Sequence, residues 1–433
     1  MITTEELYQH FLKNPSVSTD TRNIIPGSIF FALKGDHFNA NEFALQAIEK
    51  GAAFAVVDEE IHQQNEQLLL VDDVLSALQD LARYHRKQLN IPVVGLTGSN
   101  GKTTSKELIN AVLAERYKTF ATFGNLNNHI GVPLSILSIT NDVEIAVIEM
   151  GANHQKEIEL LCTISQPTHG IITNVGMAHL DGFGGFEGVK KGKAELYAYV
   201  KKTSGYIFIN RDNAFLMEMS TNTGLNKLIY YGTQNGNTIK GFLKSSDPYI
   251  EVDWTNHDVS SSVKTHLTGS YNFENILAAI CIGDFFEMNP DEINRGLANY
   301  LPKNNRSQLT KTENNTVICD FYNANPSSMT AAIHNISVLT ADHKVAILGD
   351  MFELGPESAS QHELIAKQAT ESGVDQVILI GKHFFAFKNQ YPAIYFETPA
   401  EAADYLQENK VKDNLVLLKG SRGMKLESLL QYL

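Results

Sequence analysis

The stretch Ile91-Pro92-Val93-Val94-Gly95-Leu96-Thr97-Gly98-Ser99-Asn100-Gly101-Lys102-Thr103-Thr104, continued by SKELINAVLAERY to Tyr117, decides the reading of this chain. An apolar, β-branched run breaks into Gly, Ser, Asn and Gly and then becomes an amphipathic helical pattern. That is the strand, loop, helix order a phosphate-binding loop requires. Gly98 and Gly101 let the backbone N–H groups of the Ser99-Asn100 turn curl toward an anion. Lys102 supplies positive charge to β/γ-phosphate oxygens, and the Thr103 hydroxyl, with Thr104 beside it, suits Mg²⁺. The strict spacing G-x-x-x-x-G-K-[ST] is missed, because five positions before Gly101 stands Leu96. A shorter TG-x-NGKT-[ST] loop remains, and its flanking strand and helix favour a nucleotide site over a glycine-rich turn with an incidental lysine.

Working outward, 433 residues are too many for one ordinary core and suggest three domains. A hydrophobic content of 43% with 19% charged residues is that of a soluble globular chain, and no apolar run reaches the ~20 residues that span a bilayer. The N-terminal MITTEELYQHFLKN has early acids and no apolar signal core, so a cytoplasmic protein is expected. A net charge of −14 argues against a nucleic-acid partner, which would be bound through dense basic patches. Cys162, Cys281 and Cys319 fit neither a disulfide framework nor a zinc motif and read as reduced core residues.

Residues 1–88 read as a small α/β domain, with a polar turn at Ser18 to Arg22, a Pro26-Gly27 turn and the strand SIFFAL. Taken alone, Asp20-Thr21-Arg22 is a solvated turn. Residues 89–303 alternate strand and helix as a parallel sheet covered on both faces does. There Asn125, Asn127 and Asn128 cluster at a strand end, and the strand EIAVI runs into Glu149. An acid on that edge commonly orders Mg²⁺ in nucleotide enzymes, a surface acid being the alternative. The strand GIITNV empties into a glycine-rich loop with His179, on the same rim as Glu149 if both strands share one parallel sheet. Lys190, Lys191 and Lys193 are expected to open the next helix, where the helix dipole disfavours cations. An anion nearby, or carbamylation of a lysine by CO₂, would account for them. Residues 236–268 read as an antiparallel flap, and Asn272 and Asn275 share a face at the start of a following helix, where an amide can read a base edge. Residues 304–433 form a further α/β alternation without G-x-G-x-x-G at its first helix, which disfavours a nicotinamide cofactor.

These features describe an ATP-type loop, a metal rim of Thr103, Glu149 and His179, and two flanking domains with no serine or cysteine nucleophile motif. A ligase that activates one substrate with ATP, a kinase, and an ATP-driven binding module all remain open. The runs TGSNGKTTSKE, ATFGNLNNHIGVPLSIL, EMGANHQKEIELL, ITNVGMAHLDGFG, GKAEL, YNANPSSM, LGDMFELG and KGSRGMKLE resemble the Mur ligases, in order and over nearly the whole chain. YNANP together with STDTR is similar to the branch that adds D-alanyl-D-alanine to UDP-N-acetylmuramoyl-tripeptide, and argues against a folylpolyglutamate synthase or another Mur ligase.

The resemblance implies an α/β enzyme of three domains: a small N-terminal one holding UDP, a central P-loop parallel-sheet ATPase domain, and a Rossmann-like C-terminal domain that closes over both. It implies ATP on Gly98 to Thr104 with further contacts from Asn275, Arg306 and Asp320, and Lys102, Glu149, His179 and Lys193 as the catalytic set. It implies one Mg²⁺ near Thr103 and Glu149 and a second near His179 and a carbamylated Lys193. Substrate contacts are expected from Ser18, Thr21, Arg22, Asn128, Asn323 and Asn325, and a monomer is the working expectation. The chain departs from the family pattern at Tyr271, where a histidine is usual, at Cys319-Asp320, where two acids are usual, and at Asn39-Ala40-Asn41 in place of Asp-Gly-His.

Overall fold

Three sheets, one in each third of the chain, carry the architecture of the computed structural model, which describes residues 1–59, 65–256 and 258–433. The first sheet has the parallel strands Val17–Ser18, Ile29–Phe31, Phe54–Val57 and Leu68–Leu70, in that spatial order. Ile29–Phe31 is apolar and buried throughout, as a strand covered on both faces must be. The helix Val74–Gln88, capped by Asp73, then buries Leu78, Leu81 and Ala82 in one core with Val132 and Ile136 of the middle third. The first third is thereby docked on the second.

Nine strands form the middle sheet, in the order Ser260–Lys264, Glu251–Thr255, Ile239–Ser245, Leu228–Gly232, Tyr206–Asn210, His169–Ile172, Val93–Thr97, Ile145–Glu149 and Thr119–Ala121. The chain leaves Val93–Thr97 toward one edge, returns beside it at Ile145–Glu149, and then crosses to the other side at His169–Ile172. The loop strand therefore sits where the strand order reverses, and ligands of open α/β sheets bind outside the carboxyl ends at such a point. Both neighbours run parallel to it, with Leu96 opposite Glu149 and Thr97 opposite Ile172, so Glu149 and His179 do share a rim.

The expected flap at 236–268 is corrected. Ile239–Ser245 pairs parallel with Leu228–Gly232, and the two antiparallel strands after it extend the same sheet. The reason is burial: Val252, Trp254 and Val263 point into the core shared with Ile276, Leu277 and Ile280, which a free flap would leave in water. Trp254 Nε1 donates to Asn294 Oδ1 at 3.0 Å, satisfying its one polar group.

Six strands form the last sheet: Gln308–Lys311, Thr316–Cys319, Leu415–Lys419, Lys344–Gly349, Gln376–Ile380 and Ile394–Phe396, with only the first pair antiparallel. The last strand of the chain, Leu415–Lys419, inserts between Thr316–Cys319 and Lys344–Gly349. That insertion gathers three loops, beginning at Asp320, Asp350 and Gly420, at one carboxyl edge facing the phosphate loop. All three cysteines are buried and unpaired, as expected. Among the described residues no helix is long and apolar enough to cross a membrane.

Candidate active site

The phosphate loop is built on two positions that only glycine fits. Gly98 has φ +151°, and a Cβ there would lie 2.0 Å from Thr173 Oγ1. Gly101 has φ +75°, and a Cβ would lie 2.7 Å from Asn275 Oδ1. Between them, Asn100 N–H donates to Asn174 Oδ1 at 2.9 Å, while Asn100 O accepts from Thr173 Oγ1 at 2.6 Å and Asn174 Nδ2 at 3.1 Å. Ser99 Oγ exchanges hydrogen bonds with the backbone of Gly176 at 2.9 and 3.1 Å. The loop is thus held by the neighbouring strand end, and the helix Lys102–Leu113 begins with no side chain capping its first N–H groups. Free N–H groups and the positive end of the helix dipole face the cleft, as an anion site needs. Lys102 Nζ donates to Gly98 O at 2.8 Å and Ser99 O at 3.2 Å. Burial, opposed by Glu149 and aided by Arg306 across the cleft, lowers its pKa to about 8.

Glu149 ends its strand 1% exposed. Its Oε1 accepts from Asn127 Nδ2 at 2.8 Å and from Thr103 Oγ1 at 3.3 Å, while its Oε2 is buried with no partner among the described residues. An orphaned carboxylate oxygen beside a threonine hydroxyl is the donor set a hard divalent cation would satisfy, so these residues fit Mg²⁺. Among the described residues no group of three or more His, Cys, Asp or Glu could hold a metal. Phosphate oxygens and water would therefore have to complete the shell, which is how Mg²⁺ is commonly bound with nucleotides.

His179 adopts φ +53° at the start of a short turn of helix, and its Nδ1 pairs with the carboxylate of Glu353 from the third sheet. Burial lowers the imidazole pKa, and Glu353 opposes that shift. The lysine run does not open its helix, as had been expected. The helix starts earlier, at Phe186, and runs to Lys202. Lys193 consequently lies two turns in, on the face turned to the core, and is 2% exposed with Nζ 5.1 Å over the Phe183 ring. Burial first, and then Lys102, push its pKa well below the ordinary lysine value. Lys190 instead pairs with Glu187 at 2.8 Å, and Lys191 is exposed.

The opposite wall comes from the third sheet. Arg306 lies 3.9 Å over the Tyr322 ring with its Nε buried and, among the described residues, unpartnered. Asp320 Oδ2 pairs with the buried Lys419 Nζ at 2.6 Å, and its Oδ1 accepts from Ser307 N at 3.1 Å. Asn325 caps the helix Pro326–Val338, and its Nδ2 crosses the cleft to Asn100 Oδ1 at 2.7 Å. Together these groups enclose about 710 Å³, lined among others by Lys102, Glu149, His179, Arg306, Asp320 and Asn323. The third sheet is closed on the second.

The other expected site residues are more modestly placed. Asn275 lines the cleft under Gly101, but its Oδ1 accepts from Ser105 Oγ and its Nδ2 donates to Asn272 Oδ1, both at 2.9 Å. One lone pair and one N–H are left for a base. Asn128 Oδ1 caps the next helix by accepting from Gly131 N at 2.8 Å; the neighbouring Asn127 is the one that holds Glu149. Ser18, Thr21 and Arg22 do not line the cleft. Ser18 Oγ donates to Asp20 O at 3.2 Å, the Thr21 carbonyl accepts from Lys50 Nζ at 2.9 Å, and Arg22, 86% exposed, pairs with Asp20 at 2.8 Å. Sequence reasoning missed Asn127, Asn174, Lys419 and Glu353 as site residues. Each ends or follows a strand and lies within a run that carries the family resemblance, and those were the signals available.

Comparison with known proteins identifies the class. The chain belongs to the Mur ligase family: residues 96–283 match the Mur ligase middle domain and residues 305–422 match the Mur ligase, glutamate ligase domain. It is 35% identical over 427 residues to the UDP-N-acetylmuramoyl-tripeptide--D-alanyl-D-alanine ligase of Bacillus subtilis, covering 96% of this chain and 92% of that protein. The Escherichia coli protein of the same name is 35% identical over 381 residues, covering 86% and 82%. Within the family the chain thus falls in the branch of the UDP-N-acetylmuramoyl-tripeptide--D-alanyl-D-alanine ligases. Among solved structures, MurF from Acinetobacter baumannii superposes with TM-score 0.90 at 30% identity, covering 99% of this chain and 98% of that one. MurF ligase from Thermotoga maritima in complex with ADP gives 0.86 at 26% identity, with 97% of both chains covered.

Proposed function

We propose that this chain joins D-alanyl-D-alanine to UDP-N-acetylmuramoyl-tripeptide at the cost of ATP, in the cytoplasmic synthesis of peptidoglycan precursor. The observation that carries this reading is the facing of Lys102, Thr103 and the orphaned Glu149 Oε2 toward Arg306 and Asp320 across one closed cleft. The γ-phosphoryl group of ATP passes to the terminal carboxylate of the tripeptide, giving an acyl phosphate and ADP. The dipeptide amine then attacks the acyl carbon; the C–O bond to phosphate breaks, and the amide forms with loss of a proton. Catalysis of the first step is mainly charge neutralisation and positioning, because two anions must meet. Lys102 and the free N–H groups of its helix hold the β/γ-phosphates, and Arg306 brings a second positive charge from the closing side. Mg²⁺, held by Thr103 and Glu149, would neutralise phosphate charge. Asn275 and Asp320 serve the nucleoside, and Asn128, Asn323 and Asn325 the reacting end of the peptide substrates.

Lys193 is read as carbamylated. A neutral amine adds to CO₂, forming an N–C bond and releasing one proton, and the product carboxylate with His179 would hold a second Mg²⁺. The burial that lowers the Lys193 pKa supports this reading, because it favours the free amine, the form that is nucleophilic. Ser18, Thr21 and Arg22 hold the UDP end, remote from the chemistry. Residues 1–88, 89–303 and 304–433 act as the UDP-binding, ATP-binding and closing domains of a monomer. Phosphate release from ATP tests the proposal: it should require both the UDP-tripeptide and the dipeptide. Release without an acceptor would instead favour an ATPase module.

A further inference from the structure

The acceptor in the proposed reaction is a zwitterion, so its site needs an anion for the ammonium and a cation for the carboxylate. Most carboxylates lining the cleft are already engaged. Glu149 is held by Thr103 and Asn127, Asp320 by Lys419, and Glu157 accepts from the backbone of Asn153 at 2.7 Å and His154 at 3.0 Å. Glu353 is different. Its side chain is 59% exposed, it stands at φ +63°, and its only partner among the described residues is the imidazole of His179. Such backbone conformations in residues other than glycine gather at ligand sites.

A cation stands on the adjoining loop. Arg422 lies 5.2 Å over the Tyr322 ring, on which Arg306 also stacks, and its Nη1 donates to the Tyr322 hydroxyl at 3.4 Å. It pairs with no carboxylate among the described residues. The two loops are clamped together: Phe352 N donates to Ser421 Oγ at 3.0 Å and Ser421 N to Asp350 O at 3.1 Å. The Phe352 ring covers Gly423, where a Cβ would come within 2.7 Å. Both loops leave neighbouring parallel strands, Leu415–Lys419 and Lys344–Gly349, at the same edge. Neighbouring strands lie about 5 Å apart, so the two loops leave the sheet side by side.

We propose that Glu353 and Arg422 hold the two ends of the incoming dipeptide, the Glu353 carboxylate on its ammonium and the Arg422 guanidinium on its terminal carboxylate. This rests on the ligase reading and adds the residues that select the acceptor. The test compares D-alanyl-D-alanine with D-alanyl-D-alaninamide, which keeps the amine and loses the negative charge, at saturating ATP and UDP-tripeptide. The wild type should use the amide at least about 10-fold less efficiently. Arg422→Ala should raise KM for the acid about 10-fold to 100-fold and leave the amide unaffected, so that the preference disappears. Arg422→Lys should restore part of it. Glu353→Gln should raise KM for both acceptors alike while KM for ATP and UDP-tripeptide stays unchanged. An Arg422→Ala enzyme that keeps the preference, or a Glu353→Gln enzyme with normal acceptor KM, overturns the assignment and leaves the ligase reading intact. A wild type without dipeptide-dependent phosphate release overturns both.

Discussion

Replacing Lys193 by methionine should separate stability from activity. The side chain is 2% exposed, sits against Phe183 and makes no hydrogen bond or ion pair among the described residues. An unpaired ammonium at such a place costs several kcal/mol, and burial accordingly pushes the amine's pKa well below the ordinary lysine value. Methionine is unbranched, of similar length and uncharged, and it adapts to irregular packing. Exchanging a buried ionisable group for a well-packed apolar one should stabilise the enzyme by about 1–3 kcal/mol. The same change removes the nitrogen on which the proposed carbamate would form. Ligation should therefore fall about 10²–10⁴-fold, equivalent to roughly 3–5 kcal/mol of transition-state stabilisation. Thermal melting and a coupled phosphate-release assay read the two effects on one preparation. Lys193→Ala should regain activity with an added small carboxylate or chloride, whereas Lys190→Ala and Lys191→Ala should be near normal without it, since neither side chain is buried. A methionine variant that is both less stable and fully active would refute the reasoning, as would an alanine variant that no added anion rescues.

Lys102→Ala should leave the melting temperature nearly unchanged and lower turnover about 10²–10⁴-fold, if its charge serves the transferring phosphoryl group as proposed; near-normal turnover would remove the loop from the mechanism. Arg22→Ala should raise KM for the UDP-tripeptide with kcat little changed, the pattern of binding energy shared by ground and transition states, and a fall in kcat alone would count against it. His169 is packed against Phe285 and Phe286, and burial lowers its pKa to about 4. The fold thus favours the neutral ring, and the stability this contributes is fully present above the unfolded pKa of about 6.5 and is lost as pH falls toward 4. The full loss amounts to about 3 kcal/mol, of which about 2 kcal/mol falls between pH 7.5 and pH 5, so in His169→Phe the difference in melting temperature between those pH values should narrow; an unchanged difference would show that other groups set the acid limit.

The sequence alone determined the parts whose physics is local. The phosphate loop was legible because a β-branched run, glycines and an amphipathic helix follow one another within the contiguous run from Ile91 to Tyr117, and each step has a short-range cause. Glu149 and His179 were legible as strand-end residues, and their sharing of a rim needed only that both strands be parallel to the loop strand. Tertiary structure decided what depends on partners distant in the chain. It placed Lys193 inside the core, because the helix begins at Phe186 and not at the lysine run, and a helix start shifts which face each residue presents. It made Asn127 the partner of Glu149 and left Asn128 as a helix cap, a choice between adjacent amides that depends on side-chain direction and not on composition. It joined Asp320 to Lys419 and His179 to Glu353, pairs separated by 99 and 174 residues. These pairings exist because the last strand of the chain inserts into the centre of the third sheet and that sheet closes on the second. No window along the sequence contains both members of either pair, so only the folded chain could bring them together.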